Sequence, residues 1–318
     1  MLPTTPISRL TTSFYRQPAV LSSATVRNAA SPLDLVKLAP LMELSSGRVE
    51  TTIGLIDGPV ATDHKDLSNT NIREIPGRLG SACARANSIA CMHGTFVAGI
   101  LSARRGSDAP AISPGCTLLV RPIFTETALG NLDMPSATPQ ELATAIIDCI
   151  RAGANVINLS AALVQPLAKG ERNLEEALDY SAQRGVIVVA AAGNQGTVSS
   201  SVITRHPWVI PVVAFDLRGQ PISYSNLGNT IGRHGLSAPG DGITSLGTNG
   251  NPPTFSGTSA AAPFVTGALA LLLSIFPKAT ATEVKFALMQ SQTRRRATIV
   301  PALLDAWAAY QSLQQAHA

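Results

Sequence analysis

Apolar positions fall in short, nearly unbroken runs: Thr52–Ile56, Thr117–Phe124, Val156–Leu159, Val186–Ala191 and Val209–Val213. Runs of strand length that do not alternate with polar residues are the pattern of strands covered on both faces. Between and after them the sequence predicts helices at 94–104, 139–152, 172–184, 258–276, 281–290 and 301–314. Gly153 and Gly185 stand where C-terminal caps belong. Ser31-Pro32-Leu33-Asp34 reads as a helix start, with Ser31 as N-cap and Pro32 at the first helical position, and Pro40 interrupts that short helix. Strand–helix alternation implies an α/β fold with a doubly wound, mostly parallel sheet and helices on both faces. No internal repeat or long linker divides the chain. Residues 32–318 therefore read as one domain with C-terminal helices, behind a flexible arm at 1–31. Ligands of such sheets bind beyond the carboxyl ends of the strands, which nominates Asp57, Ser160 and Gly193-Asn194.

Composition narrows the function classes. The chain has 318 residues, 45% of them hydrophobic and 14% charged, which excludes disorder throughout. A net charge of +4 is a weak field for this length, and the one dense basic patch, Arg294-Arg295-Arg296, fits a solvated helix end. We expect no nucleic-acid partner. The longest apolar stretch, Ala260–Phe276, is shorter than the roughly 20 residues of a membrane span and contains Pro263, so it reads as a core helix with no membrane partner. Residues 1–33 hold three arginines, no acid and no apolar core of the kind a secretory signal needs. That composition overlaps with a transit peptide, but an unstructured arm on a cytoplasmic protein is the expectation here. The four cysteines lack the paired spacing of a zinc site, and Cys83 and Cys91 are near enough for a disulfide or for two free thiols.

Three segments carry candidate chemistry. Ile53-Gly54-Leu55-Ile56-Asp57-Gly58-Pro59 sets a carboxylate at the end of a buried strand. His93-Gly94-Thr95-Phe96-Val97-Ala98-Gly99 sets a histidine at the opening of a helix of small residues. Phe255-Ser256-Gly257-Thr258-Ser259-Ala260-Ala261-Ala262-Pro263 sets a serine at the mouth of the most apolar helix. Singly, each has a plain structural reading: a turn-capping aspartate, a packing histidine, an N-cap serine. Their order gives them weight, because Asp…His…Ser is the triad order of subtilisin.

These segments resemble the subtilisin-like serine proteases, the subtilases. The resemblance rests on Gly257-Thr258-Ser259 with Pro263, on His93 through Gly99, and on Ala191-Ala192-Gly193-Asn194, which is similar to the family's oxyanion-hole segment. Asn158-Leu159-Ser160, Ser225-Asn226 and Ala238-Pro239-Gly240 are lesser matches, and all lie in the family's order across residues 48–290. Leu55-Ile56-Asp57-Gly58-Pro59-Val60 and Ser113-Pro114-Gly115-Cys116 are similar to the cyanobactin-maturation group of that family (PatA and PatG types). Its macrocyclases carry a helical insertion between the Asp and His motifs. Here 35 residues separate Asp57 from His93, which favours a cleaving enzyme over a cyclising one.

The resemblance implies a subtilisin-like fold and a serine endopeptidase, with Asp57, His93 and Ser259 as triad and Asn194 as oxyanion donor. Ser160, Ala161, Ala162 and Gly193 would line the peptide site. The implied substrate is a peptide or protein, here the precursor of a ribosomally made natural product, with no cofactor. Many subtilases bind calcium, but no carboxylate cluster with calcium-loop spacing is present, so no metal ligand is named. A transpeptidase or macrocyclase, and an inactive peptide-binding module, are the alternative readings.

The departures from the family pattern bear on specificity more than on chemistry. Gly58 lacks the hydroxyl that commonly follows the catalytic aspartate, so one hydrogen bond to that carboxylate is expected to be missing. Phe96 and Ala260 replace a common histidine and methionine. Ser160-Ala161-Ala162 replaces a glycine-rich strand, where two methyl groups would narrow the specificity pocket or crowd the peptide backbone. Of the other histidines, His64 fits a surface turn, and His206 and His234 have no evident partner nearby in sequence.

Overall fold

Seven strands build the central sheet: β1 (Thr52–Asp57), β2 (Asn71–Glu74), β3 (Thr117–Pro122), β4 (Val156–Leu159), β5 (Ile187–Ala191), β6 (Val209–Phe215) and β7 (Leu236–Pro239). In this computed structural model their order is β7-β6-β5-β4-β1-β3-β2, and every neighbouring pair is parallel. The structure describes residues 10–11, 15–16, 31–68, 70–77, 79–80, 82–126, 136–160, 162–163, 171–290 and 298–318. The unalternated runs have a direct cause, since successive residues of one strand feed opposite cores. Ile53, Leu55, Leu118, Val120, Ile187 and Val189 join the core under the helices Ile89–Ser102 and Thr258–Ile275. Ile56, Leu119, Val188 and Ala190 join the other, under Pro139–Arg151 and Glu171–Gln183. Both faces of the sheet are thus covered, and a polar alternation would have buried polar groups.

Each of the five apolar runs falls on a sheet strand, β1 and β6 extending beyond theirs to Asp57 and Phe215. The two edge strands lacked that signal: β2 is polar and largely exposed, and β7 is four residues ending in Pro239. Both are tolerated because an edge strand needs neither a second apolar face nor a full set of backbone donors.

Helix ends follow capping chemistry. Thr138 and Glu141 form a reciprocal capping box at the start of Pro139–Arg151, and Gly153 follows that helix with φ +89°. Gly185 does the same after Glu171–Gln183 with φ +67°. Ser31 caps Pro32–Leu35 as expected. Pro40, however, does not interrupt that helix: the break comes at Lys37, with φ +52°, and Pro40 lies in the first turn of a second helix, Ala39–Leu44, where a missing N–H costs nothing. The last helix begins at Ala306 rather than 301 because Asp305 is its cap, accepting from the Ala308 N–H at 2.9 Å.

The helix Thr258–Ile275 is by length and mean hydropathy (1.7) apolar enough to cross a membrane, but 89% of it is buried inside the fold, as expected of a core helix. The Arg294–Arg296 patch lies outside the described residues. Of the arm at 1–31, the structure describes Leu10–Thr11 and Tyr15–Arg16 as short strands, together with Ser31. Leu10–Thr11 lies antiparallel between Ser136–Ala137 and Ala162–Leu163, and Tyr15–Arg16 pairs antiparallel with Phe255–Ser256.

The sheet order positions the site. The chain moves from β1 to β2 and β3 on one side, then to β4 on the other, so the switch point lies at the carboxyl ends of β1 and β4. Asp57 ends β1, and Ser160 follows β4.

Candidate active site

The carboxylate comes from β1, a strand flanked on both sides and buried along its length. Asp57 Oδ1 accepts the Gly58 N–H at 2.6 Å and pairs with His93 Nδ1; both side chains are sealed from solvent. Asp57 Oδ2 is buried and has no hydrogen-bond partner among the described residues, which matches the bond expected to be missing without a hydroxyl at position 58.

The histidine sits one turn inside its helix rather than at its opening. Ser88 is the N-cap, accepting from the Cys91 N–H at 3.1 Å, so the helix runs Ile89–Ser102. Glu126 secures that start, taking Ala84 N–H at 3.0 Å, Arg85 N–H at 2.9 Å and the Ser88 hydroxyl at 3.2 Å. The alternatives left open by the sequence resolve to a Cys83–Cys91 disulfide, with Cα atoms 5.6 Å apart.

Two glycines let this helix cross the turn after β1 at backbone contact. A Cβ on Gly58 would lie 2.0 Å from the Ala90 carbonyl oxygen, and one on Gly94 would lie 2.4 Å from that of Pro59. Restoring the family's hydroxyl by Gly58→Ser therefore pushes the histidine helix away. We expect about 1–3 kcal/mol of destabilisation and a fall in kcat of about 10²-fold, read by thermal melting and peptide turnover. A variant as stable and active as wild type would contradict this account. Phe96 is fully buried with its ring centroid 4.8 Å from that of Phe255, so packing absorbs this departure.

The serine stands in the first turn of Thr258–Ile275, where backbone N–H groups lack intrahelical acceptors. Gly257 precedes it with φ +143°, and a Cβ there would meet Asn194 Nδ2 at 2.9 Å. Ser259 Oγ is buried, with no hydrogen-bond partner among the described residues. Asn194 is oriented by this helix end: its Oδ1 accepts from Thr258 N–H at 2.9 Å and from the Thr258 hydroxyl at 3.0 Å, so Nδ2 is the donor side of the amide. Gly193, with φ +107°, donates its N–H to Thr258 Oγ1 at 3.1 Å.

Ser160 joins the end of β4 to the first turn of the serine helix. Its Oγ accepts from Asn158 Nδ2 at 2.7 Å and donates to the Ser259 carbonyl at 3.3 Å, while Asn158 Oδ1 accepts from Thr266 at 2.8 Å. Ala161 lies outside the described residues. The Ala162–Leu163 backbone is in antiparallel register with Leu10–Thr11.

The structure also brings in residues that the sequence marked only as lesser matches. Asn226 holds the Gly193-Asn194 loop from four directions: its N–H donates to Gly193 O at 2.8 Å, Nδ2 to Ala192 O at 3.2 Å, and Oδ1 accepts from Gln195 N–H at 3.0 Å and Thr197 N–H at 3.1 Å. Gly240 accepts the Gly257 N–H at 2.7 Å. The other histidines serve elsewhere. His64 Nδ1 accepts from Asp66 N–H in a turn, and His206 Nε2 meets Asp179 Oδ1 at 3.1 Å, a partner 27 residues away in sequence. His234 ends the short helix Asn229–His234.

Among the described residues the one group with clustered metal-ligand atoms is Cys83, Cys91 and Glu126. Its two sulfurs are bonded to each other and its carboxylate takes backbone donors, so it does not fit an ion. Cys116 and Cys149 are free but buried, and burial raises both thiols above their ordinary range. Native protein should thus gain no mass from iodoacetamide, denatured unreduced protein two adducts, and denatured reduced protein four. A native adduct, or four without reductant, would show the disulfide or the burial to be wrong.

Residues 49–305 match the subtilase family. The chain is 29% identical to subtilisin DY of Bacillus licheniformis over 246 residues, covering 76% of this chain and 83% of that protein. It spans 60% of the length of subtilisin J of Geobacillus stearothermophilus, at 30% identity over 76% of this chain. Among solved structures, a mutant of the protease domain of PatA is 30% identical, with TM-score 0.77 over 85% of this chain and 97% of that one. The prenylagaramide maturation protease PagA is 28% identical, with TM-score 0.74 over 87% and 98%. A PatG macrocyclase in complex with peptide, at 21% identity and TM-score 0.77 over 91% and 99%, shares the fold. The parallel α/β architecture and the family match agree, and the chain belongs to the subtilases as a serine endopeptidase.

Proposed function

We propose that this protein cleaves a linear precursor peptide through an acyl-enzyme, with Ser259 as nucleophile, His93 as general base and acid, and Asp57 holding the imidazole. The observation that carries this reading is the buried Asp57–His93 Nδ1 pair: it fixes the tautomer in which the other ring nitrogen, Nε2, is the one that takes the serine proton. A neutral hydroxyl is a poor nucleophile, so attack on the scissile carbonyl requires that transfer. The developing oxyanion would be met by the backbone N–H of Ser259 at the positive end of its helix and by Asn194 Nδ2. His93 then returns the proton to the leaving amine, and water resolves the acyl-enzyme by the same route in reverse.

The substrate class is supported by similarity to PatA and to PagA, a prenylagaramide maturation protease. An extended peptide would pair along Ala162–Leu163, adding a strand to that edge. The compartment proposed is the cytoplasm, where the Cys83–Cys91 bond would face a reducing pool. Intact-mass analysis of a synthetic precursor peptide after incubation tests the reading. Two products whose masses sum to substrate plus one water support hydrolysis. A single product lacking one water, formed only when the substrate amine is free, would replace it with macrocyclisation.

A further inference from the structure

The bond from Cys91 to Cys83 closes a ring through both members of the buried Asp57–His93 pair. From Asp57 the chain runs through Gly58 and Pro59 to Val60, which bridges to Ala82 and whose carbonyl accepts the Cys83 N–H at 3.3 Å. The disulfide crosses to Cys91, and two residues further on the imidazole of His93 returns to Asp57. The Cys83 side of this ring has anchors that do not depend on sulfur. Glu126 takes the Ala84 and Arg85 N–H groups, and Thr248 Oγ1 donates to the Ala86 carbonyl. On the helix side Cys91 is sealed from solvent, next to the Ala90 carbonyl that lies against Gly58. Bonded sulfurs stand about 2 Å apart, whereas two thiols need closer to about 4 Å. Opening the bond therefore demands room around a sealed side chain. That demand falls on the first turn of the histidine helix, because the other side is held by hydrogen bonds.

The bond is also open to exchange. Cys83 is half-buried beside the exposed residues 84–87, while Cys116 and Cys149 are buried thiols outside the bond. An incoming thiolate meets the Cys83 sulfur, so Cys91 is the leaving group. Its charge then falls in the first turn of Ile89–Ser102, the favourable end of a helix for an anion.

We propose that Cys83 is a thiol-exchange site for a small thiol of the glutathione class, and that its bond to Cys91 governs how well His93 is placed to act. The proposal rests on the catalytic reading above. One small thiolate forms a mixed disulfide with Cys83 and expels the Cys91 thiolate. A second attacks the small-molecule sulfur of that mixed disulfide and expels the Cys83 thiolate. Two electrons pass to the protein, one small-molecule disulfide is formed, and the two protein thiolates take up the protons that the small thiols gave up. The same steps in reverse close the ring. The anchors on 84–86 keep Cys83 beside Cys91, so closure is intramolecular and the change is reversible. The reduced chain is the slow form.

The test holds the folded full chain in millimolar reduced glutathione and divides it between two readings by intact mass. Iodoacetamide should add two adducts to the native protein. Fluorophosphonate should label Ser259 about tenfold more slowly than in the untreated chain, and oxidised glutathione should restore the rate. Cys83→Ser should label slowly with either form of glutathione. No adducts, two adducts with an unchanged labelling rate, or a Cys83→Ser chain as fast as oxidised wild type would each overturn the proposal. The helix is also read without catalysis. In the Ser259→Ala chain, backbone amides at 91–95 should exchange about tenfold faster after reduction, and equal exchange in the two states would overturn the proposal. Faster exchange on reduction, in a protein whose wild-type serine never labels, would instead uphold the effect on the histidine helix and count against the catalytic reading.

Discussion

Ser259→Ala should remove peptide turnover almost entirely while leaving the fold at least as stable. In subtilisin, loss of the corresponding serine lowers kcat by about 2 × 10⁶, the residual rate coming from the oxyanion site and binding alone. The stability expectation follows from this structure. Ser259 Oγ is buried without a hydrogen-bond partner among the described residues, so deleting it removes an unsatisfied group instead of breaking a bond. The measurement is intact mass after exhaustive fluorophosphonate treatment, with a melting curve beside it. Wild type should carry one adduct, the variant none, and the melting temperature should hold or rise. An adduct on the variant would place the nucleophile elsewhere; a large fall in melting temperature would give the hydroxyl a structural bond that this geometry does not contain.

The second large effect is expected at Asn194, where two variants separate donor from anchor. Asn194→Ala removes both the Nδ2 donor and the Oδ1 that holds Thr258 N–H and Oγ1. Asn194→Asp keeps the acceptor at the helix N-terminus, where a carboxylate is favoured, and removes only the donor. Both should lose about 10²–10³ in kcat, the range known for this donor in subtilisin, with little change in KM. The alanine variant alone should also lose about 1–2 kcal/mol of stability. Near-wild-type kcat in Asn194→Asp would mean that the amide anchors the serine helix and takes no part in stabilising charge.

Much of this was legible in the sequence, for reasons that differ by residue. Asp57, Ser160 and Gly193-Asn194 could be placed because buried parallel strands are continuous apolar runs and ligands gather beyond their ends. The serine helix was legible because sixteen of its residues are buried and hence apolar or small. What escaped has local polarity or distant partners. β2 is an exposed polar edge, Asp179 meets His206 from another helix, and the Asn226 side chain holds backbone groups of a loop far upstream, Gln195 N–H being 31 residues away. The start of the histidine helix was misplaced because its cap, Ser88, is itself secured by Glu126, which is 38 residues away. Gly58 read as the loss of a hydroxyl, and only the crossing helix shows that a side chain has no room there.

The chain Thr266–Asn158–Ser160–Ser259 has a consequence for anyone redesigning selectivity. Under the proposed function, the edge that reads a substrate and the residue that attacks it share one set of buried hydrogen bonds, so neither could be tuned alone. Substitutions at Ser160 chosen to accept a different side chain should then also release the Ser259 backbone carbonyl that Ser160 Oγ holds. Their effects should combine non-additively with Thr266→Val, with a coupling of about 0.5–3 kcal/mol in a double-mutant cycle. Selectivity in this scaffold would then evolve more readily through residues outside that chain, where a change in recognition leaves the nucleophile in register.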